Sequence, residues 1–186
     1  RASNPLSALG LDAVWQLTRG EGQRVAVIDT GVVRHHRLAS LQAGGDYVST
    51  GDGTQDCDGH GTIVAGIVAA APDGSGPTAF AGVAPAAAIL GIRQSSTKFG
   101  PADDPSATGF GDVDTMAMAV RTAADMGATV INISSVACAT GALDDGALGA
   151  ALAYAVDTKD VVVVAAAGNV GGAGQCPQQA AGAGWD

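Results

Sequence analysis

The 186-residue chain is 47% hydrophobic and 15% charged, the size and apolar fraction of one globular domain able to bury a core, which excludes an intrinsically disordered chain. Nine Lys and Arg stand against eighteen Asp and Glu, for a formal net charge of -9, so the basic footprint that nucleic acid requires is not expected. The 28 glycines follow no collagen period, and no apolar run reaches the length of about 18 residues that spans a bilayer.

The chain opens on Arg1 without an initiator Met or a charged-then-apolar leader, so it reads as processed or truncated. The first periodic segment, LDAVWQLT at residues 11–18, predicts a helix. GQRVAVIDTG at 22–31 reads as a buried strand ending at Asp29. Next comes QDCDGHGT, which places His60 between two glycines at the entry to the helical run HGTIVAGIVAAA, residues 60–71.

DGSGPTAF at 73–80 reads as a surface loop, and AAAILGIRQ at 86–94 as a second strand. KFGPADDPSATGFGD at 98–112 is a long loop, either a functional insertion or a disordered excursion. In VDTMAMAVRTAADMG the residues Val113, Met116, Ala117, Val120 and Ala124 share one helical stripe, and Gly127 provides a stop. Met residues on such a stripe read as core packing. GATVINISS at 127–135 is a third strand, DDGALGAALAYAVDTK at 144–159 another helix, and KDVVVVAAAGN at 159–169 a fourth strand.

Continuous apolar strands alternating with helices predict an α/β three-layer fold with a parallel β-sheet flanked by helices on both faces. No repeat and no second domain is visible, so residues 1–186 read as a single domain. Working residues in such sheets sit at the carboxyl ends of strands, which singles out Asp29 and Asn169.

A strand-end carboxylate, a histidine at a helix start and an amide after another strand are the groups an acyl-transfer site uses: the aspartate orients the histidine, and the amide stabilises an oxyanion. Each has a structural reading when taken singly. A strand-end Asp caps turns, a glycine-flanked His opens a helix, and an Asn beside Gly tolerates a left-handed turn. The signal lies in their combination and order. Asp56, Cys57, Asp58 and His60 are candidate metal ligands by type, but the EF-hand register and a second His/Cys cluster are both missing, so neither a metal nor a cofactor is expected. A nucleotide site is likewise not expected, because no G-x-G-x-x-G or P-loop follows a strand.

DTGV, DGHGT and AAAGN resemble the Asp, His and oxyanion-Asn boxes of the subtilisin-like serine peptidases. DCDGHGT, FAGVAPAAAILGIRQSS, VINISSVAC and VVVVAAAGNVGGAGQC further resemble the mycosins, the subtilisin-like proteases of mycobacterial type VII secretion systems. The resemblance implies a subtilisin-like fold and a serine endopeptidase acting on secreted protein or peptide substrates. His60 would be its general base, Asp29 the residue orienting that base, and Asn169 the oxyanion donor. It also implies membrane-embedded type VII secretion components as partners, on the extracytoplasmic (periplasmic) face of the inner membrane, with a C-terminal anchoring helix outside this chain. A non-catalytic subunit stabilising the secretion complex is the alternative reading.

The family's nucleophile sits in a Gly-Thr-Ser box after the Asn box, and no such box is present up to Asp186, so the C-terminal part of the domain is expected to lie outside this chain. Ser134 and Ser135 correspond to the substrate-lining segment, whose backbone pairs with an extended peptide, and are not expected to act as nucleophile. His35 and His36 read as surface or structural residues. Of the three cysteines, Cys138 and Cys176 follow strand ends on one edge of the sheet and are expected to form a disulfide, with free thiols as the alternative. The resemblance implies that Cys57 pairs with a cysteine outside this chain. Such bonds would place the protein in an oxidising compartment.

Overall fold

A computed structural model of the chain describes residues 9–74, 80–100, 109–136 and 144–168. The strands are β1 (Arg24–Asp29), β2 (Leu41–Asp46), β3 (Ala88–Arg93), β4 (Val130–Ile133) and β5 (Val162–Ala165). The helices are α1 (Leu11–Val14), α2 (His60–Ala69), α3 (Val113–Asp125) and α4 (Gly146–Ala153), the last continuing into a π-helical turn at Tyr154–Thr158. The strands form one sheet in the order β2-β3-β1-β4-β5, and every pairing is parallel.

Alternation along β1 builds two cores. Val25 and Val27 point to one face and pack with Ala65 and Ala69 of α2, Ile89 of β3, and Val32, Leu38 and Leu41. Ala26 and Ile28 point to the other face and pack with Leu90 and Ile92 of β3, Ile131 and Ile133 of β4, and the alanines of α3 and α4. A central strand covered on both faces has no polar side, which is why the buried run Val25–Ile28 is continuously apolar. The expected three-layer arrangement is the observed one.

The chain leaves β1 for the edge strand β2, returns through β3 beside β1, and then crosses to β4 and β5 on the other side. The carboxyl end of β1 lies where the winding direction reverses, the place at which an open α/β sheet forms its crevice. Asp29 is the last residue of β1.

Helix α3 shows how this sequence packs. Asp112 accepts a hydrogen bond from the Thr115 backbone N–H at 2.7 Å, and the Thr115 side chain accepts one from the Asp112 N–H, a reciprocal cap that starts the helix. Gly127 follows the helix at a φ of 76°, as the stop signal required. The buried face consists of Ala117, Ala119, Val120, Ala123 and Ala124. It is smaller-sided than the expected stripe and turned toward Ala119 and Ala123: Met116 packs only partly against the core, and Val113 is half-buried.

Four expectations change. Strand β2 is missing from the pattern because LQAGGD has no β-branched residue and contains two glycines, yet it pairs with β3 from Leu41 to Asp46 with a register shift after Ala43. The segment at 11–18 forms only one α-helical turn, Leu11–Val14. The helix at 144–159 ends as a π turn. The strand read as buried at 159–169 is short and open, with Val162 59% and Val164 51% exposed, because only its Val163 side packs on the core. Most of both loop expectations, residues 75–79 and 101–108, falls outside the described residues.

Ala123 is fully buried between α3 and the sheet. Ala123→Leu is therefore expected to overpack this layer and lower unfolding free energy by about 1–3 kcal/mol, which chemical denaturation of the full-length protein would measure; an unchanged midpoint would show that the layer has room.

Candidate active site

The sheet delivers Asp29 to the carboxyl end of β1 and buries it to 1% exposure. Its backbone carbonyl accepts hydrogen bonds from the N–H groups of Gln94 at 2.8 Å and Ser95 at 3.2 Å, which fasten the strand end to the chain leaving β3. Its carboxylate Oδ1 accepts from the Thr30 backbone N–H at 2.7 Å. The same oxygen stands 2.7 Å from Nδ1 of His60, the first residue of α2.

The two partners differ sharply in environment. The Asp29 side chain is 2% exposed and that of His60 is 56% exposed. A buried carboxylate needs donors to offset its desolvation, and the imidazole supplies one. In the tautomer that carries its proton on Nδ1, the ring donates to the carboxylate and keeps the Nε2 lone pair unprotonated.

Glycine makes the contact possible. A Cβ on Gly61 would collide with the Gly31 carbonyl oxygen and press on Asp29 Cβ at 3.0 Å. A Cβ on Gly31, at a φ of 102°, would collide with the Gln55 carbonyl. Gly61 thus lets the helix start touch the backbone that leaves the strand, and Gly31 lets that backbone pass against the loop at Gln55.

The loop before His60 carries two carboxylates with different attachments. Asp56 accepts from the Gly59 N–H at 2.7 Å and the Thr30 hydroxyl at 2.8 Å through Oδ1, and from the Thr62 N–H at 2.9 Å and hydroxyl at 2.6 Å through Oδ2. Asp58 accepts from the Ser96 hydroxyl at 2.6 Å and from the Thr97 N–H at 2.8 Å and hydroxyl at 2.5 Å, which ties the histidine loop to the segment after β3. Burial acts to raise the Asp58 carboxyl, but the Ser96 and Thr97 hydrogen bonds, with the nearby Lys98 charge, outweigh it and hold the group below its ordinary value.

In the sequence both residues stand out only as possible metal ligands. For Asp56 the available signal is the helix start: Gly59, the N-cap, has no side chain to accept from the first helical N–H groups, a role that an upstream carboxylate can fill.

The remaining expected residues divide. Ser134 and Ser135 are half-buried just after Ile133, the residue in register with Ile28, so their backbone lies at the carboxyl end of β4 beside that of β1. The Ser134 hydroxyl accepts from the Asn132 side-chain amide at 2.8 Å. The rings of His35 and His36 lie 4.2 Å apart, and His35 Nδ1 accepts from the Arg37 N–H, away from the Asp29 carboxylate. Cys57 is an exposed thiol. Asn169, Cys138 and Cys176 lie outside the described residues. Among the described residues no cluster of three or more His, Cys, Asp or Glu is placed to hold a metal ion.

Comparison with known proteins places this geometry. The subtilase family matches residues 20–184. The chain is 68% identical over 184 residues to mycosin-4 of Mycobacterium tuberculosis, an alignment covering 98% of this chain and 40% of that protein. Among solved structures, the MycP3 protease from the type VII (ESX-3) secretion system superposes with a TM-score of 0.78 at 50% identity, over 88% of this chain and 45% of that one. A chain of the periplasmic assembly from the ESX-5 inner membrane complex superposes with a TM-score of 0.82 at 43% identity, over 94% of this chain and 48% of that one. The chain therefore spans half or less of the length of the relatives it matches, and its sheet and flanking helices have the subtilisin-like fold.

The Asp58 tether has a defined pH dependence. The folded group titrates below its ordinary value of 3.8, so its contribution to stability is complete above that value and is lost as pH falls through the lower, folded one. Asp58→Asn is expected to destabilise the full-length protein at neutral pH, with the difference from wild type shrinking as the pH falls below the group's ordinary value; urea unfolding across that pH series would measure this, and a pH-independent difference would reject the charged tether.

Proposed function

The chain belongs to the subtilase family, and on that premise we propose that it is the Asp- and His-bearing part of a serine endopeptidase of the mycosin kind. The observation that carries the reading is the 2.7 Å contact between His60 Nδ1 and Asp29 Oδ1, with the carboxylate buried and the imidazole open to solvent.

The mechanism follows from that polarity. His60 Nε2 takes the proton of a serine hydroxyl supplied from outside this chain as the oxygen attacks the scissile carbonyl, and later returns it to the leaving amine. Asp29 holds the tautomer and stabilises the imidazolium that forms. Asn169 donates its side-chain amide to the tetrahedral oxyanion. The backbone of Ser134 and Ser135, lying beside the end of β1, pairs with an extended peptide substrate. Cys138 pairs with Cys176, and Cys57 pairs with a cysteine outside this chain.

The working location is the periplasmic face of the inner membrane, with membrane-embedded type VII secretion components as partners and an anchoring helix outside this chain. Likeness to a chain of the ESX-5 periplasmic assembly supports that setting. It also supports a second reading, a subunit that stabilises the secretion complex, which is compatible with the first.

In the full-length protein a fluorophosphonate probe is expected to label a single serine, with labelling lost in His60→Ala. Asp29→Asn is expected to lower kcat for peptide hydrolysis about 10⁴-fold, and Asn169→Ala to lower it about 10²- to 10³-fold. Absent labelling in wild type would leave the complex-stabilising reading alone, and unchanged turnover in Asn169→Ala would remove that residue's role. Non-reducing peptide mapping is expected to recover Cys138 and Cys176 in one linked pair; finding both free would remove the disulfide.

A further inference from the structure

We propose that Asp56 is the positioning residue of the His60–Asp29 pair, an inference that rests on the function proposed above. Both its carboxylate oxygens are occupied, and all four hydrogen bonds come from residues flanking the pair. Thr30 directly follows Asp29, Gly59 directly precedes His60, and Thr62 lies two residues beyond it. One carboxylate therefore joins the end of the strand that carries Asp29 to the first turn of the helix that carries His60.

The link is doubled on each side. The Thr30 hydroxyl donates to Asp56 at 2.8 Å and accepts from the Gly61 N–H at 3.0 Å. The Thr62 hydroxyl donates to Asp56 at 2.6 Å and accepts from the Val33 N–H at 3.0 Å. Thr30 thus receives a backbone N–H from the helix and Thr62 one from the segment that follows the strand, while both point their own protons at the same carboxylate.

Apolar side-chain packing contributes little at the very start of this helix. Its N-cap is a glycine without a capping side chain, and in its first turn only Gly61 is buried; the apolar packing, from Val64, Ala65, Val68 and Ala69, begins one turn later. A negative group at a helix N-terminus is also favoured by the unpaired N–H groups gathered there. Because Asp29 is fixed within the sheet and the His60 ring is open to solvent, the distance between Nδ1 and Oδ1 follows the placement of the first turn of α2. Asp56 sets that placement without belonging to the reacting pair.

A displacement of about 1 Å at such a site can cost 10²-fold in rate. In the full-length protein, Asp56→Ala is expected to lower kcat about a hundredfold with KM unchanged, and Asp56→Asn, which keeps one acceptor oxygen, to fall between it and wild type. With isotope-labelled histidine, the proton shared between His60 Nδ1 and Asp29 is expected to give a protected downfield NMR signal in wild type and to lose it in Asp56→Ala. Should Asp56→Ala fail to fold, Thr30→Val cuts only the strand side of the link and is expected to lower kcat about tenfold or more and weaken the same signal. A raised KM at unchanged kcat, or unchanged kcat and NMR signal in the folded variants, would overturn the proposal. If wild type hydrolyses no peptide and takes no fluorophosphonate label, the protease reading fails by itself, and the NMR signal still decides whether Asp56 positions the pair.

Discussion

The close approach of helix α2 to the end of strand β1 is the constraint on which the site depends. A helix start normally stands off a strand by the width of its side chains. Here Gly61 and Gly31 contribute none, and the backbones meet at a separation that a single Cβ would disturb. Only at that separation does the first side chain of the helix reach the last carboxylate of the strand. Gly61, the glycine after His60 in DGHGT, thus belongs to the geometry of the contact as much as the histidine does.

Burial and polarity are balanced around this contact. Asp29 is almost wholly removed from water, a placement tolerable only with donors aimed at it. The Thr30 N–H and the His60 ring are those donors. The strand end is held in turn by bonds from Gln94 and Ser95 to its carbonyl. At the same sheet edge, Arg93 of β3 pairs with the buried Asp46 of β2 at 3.3 Å and stacks over Phe99. The carboxyl ends of three neighbouring strands are therefore tied by polar contacts, while the interior behind them is apolar and rich in alanine.

Parts of this architecture were legible because they have one dominant signal. β1, β3 and β4 are apolar and β-branched, and α3 has a cap, a stripe and a glycine stop. β2 was not legible: Leu41–Asp46 holds strand conformation through its pairing with β3, a partner distant in sequence, and its glycines carry no propensity for it. The exposure of β5 was equally hidden, since four consecutive valines look the same whether one face or both faces find cover. Asp56 was legible at most as a local cap of the helix start; its bond to Thr30, which makes it a link, is recognisable only once strand and helix are brought together.

The sequence by itself determined the class of fold, the order of most elements and the identity of Asp29 and His60 as the residues to watch, because periodicity, glycine punctuation and strand-end position are local properties that the chain carries without folding. Tertiary structure decided what those residues do to each other: which oxygen meets which nitrogen, which partner is buried, and which carboxylate aligns them. Those are distances between segments some thirty residues apart, and they come into being only when the sheet stacks β1 at its centre and lets α2 descend onto its end.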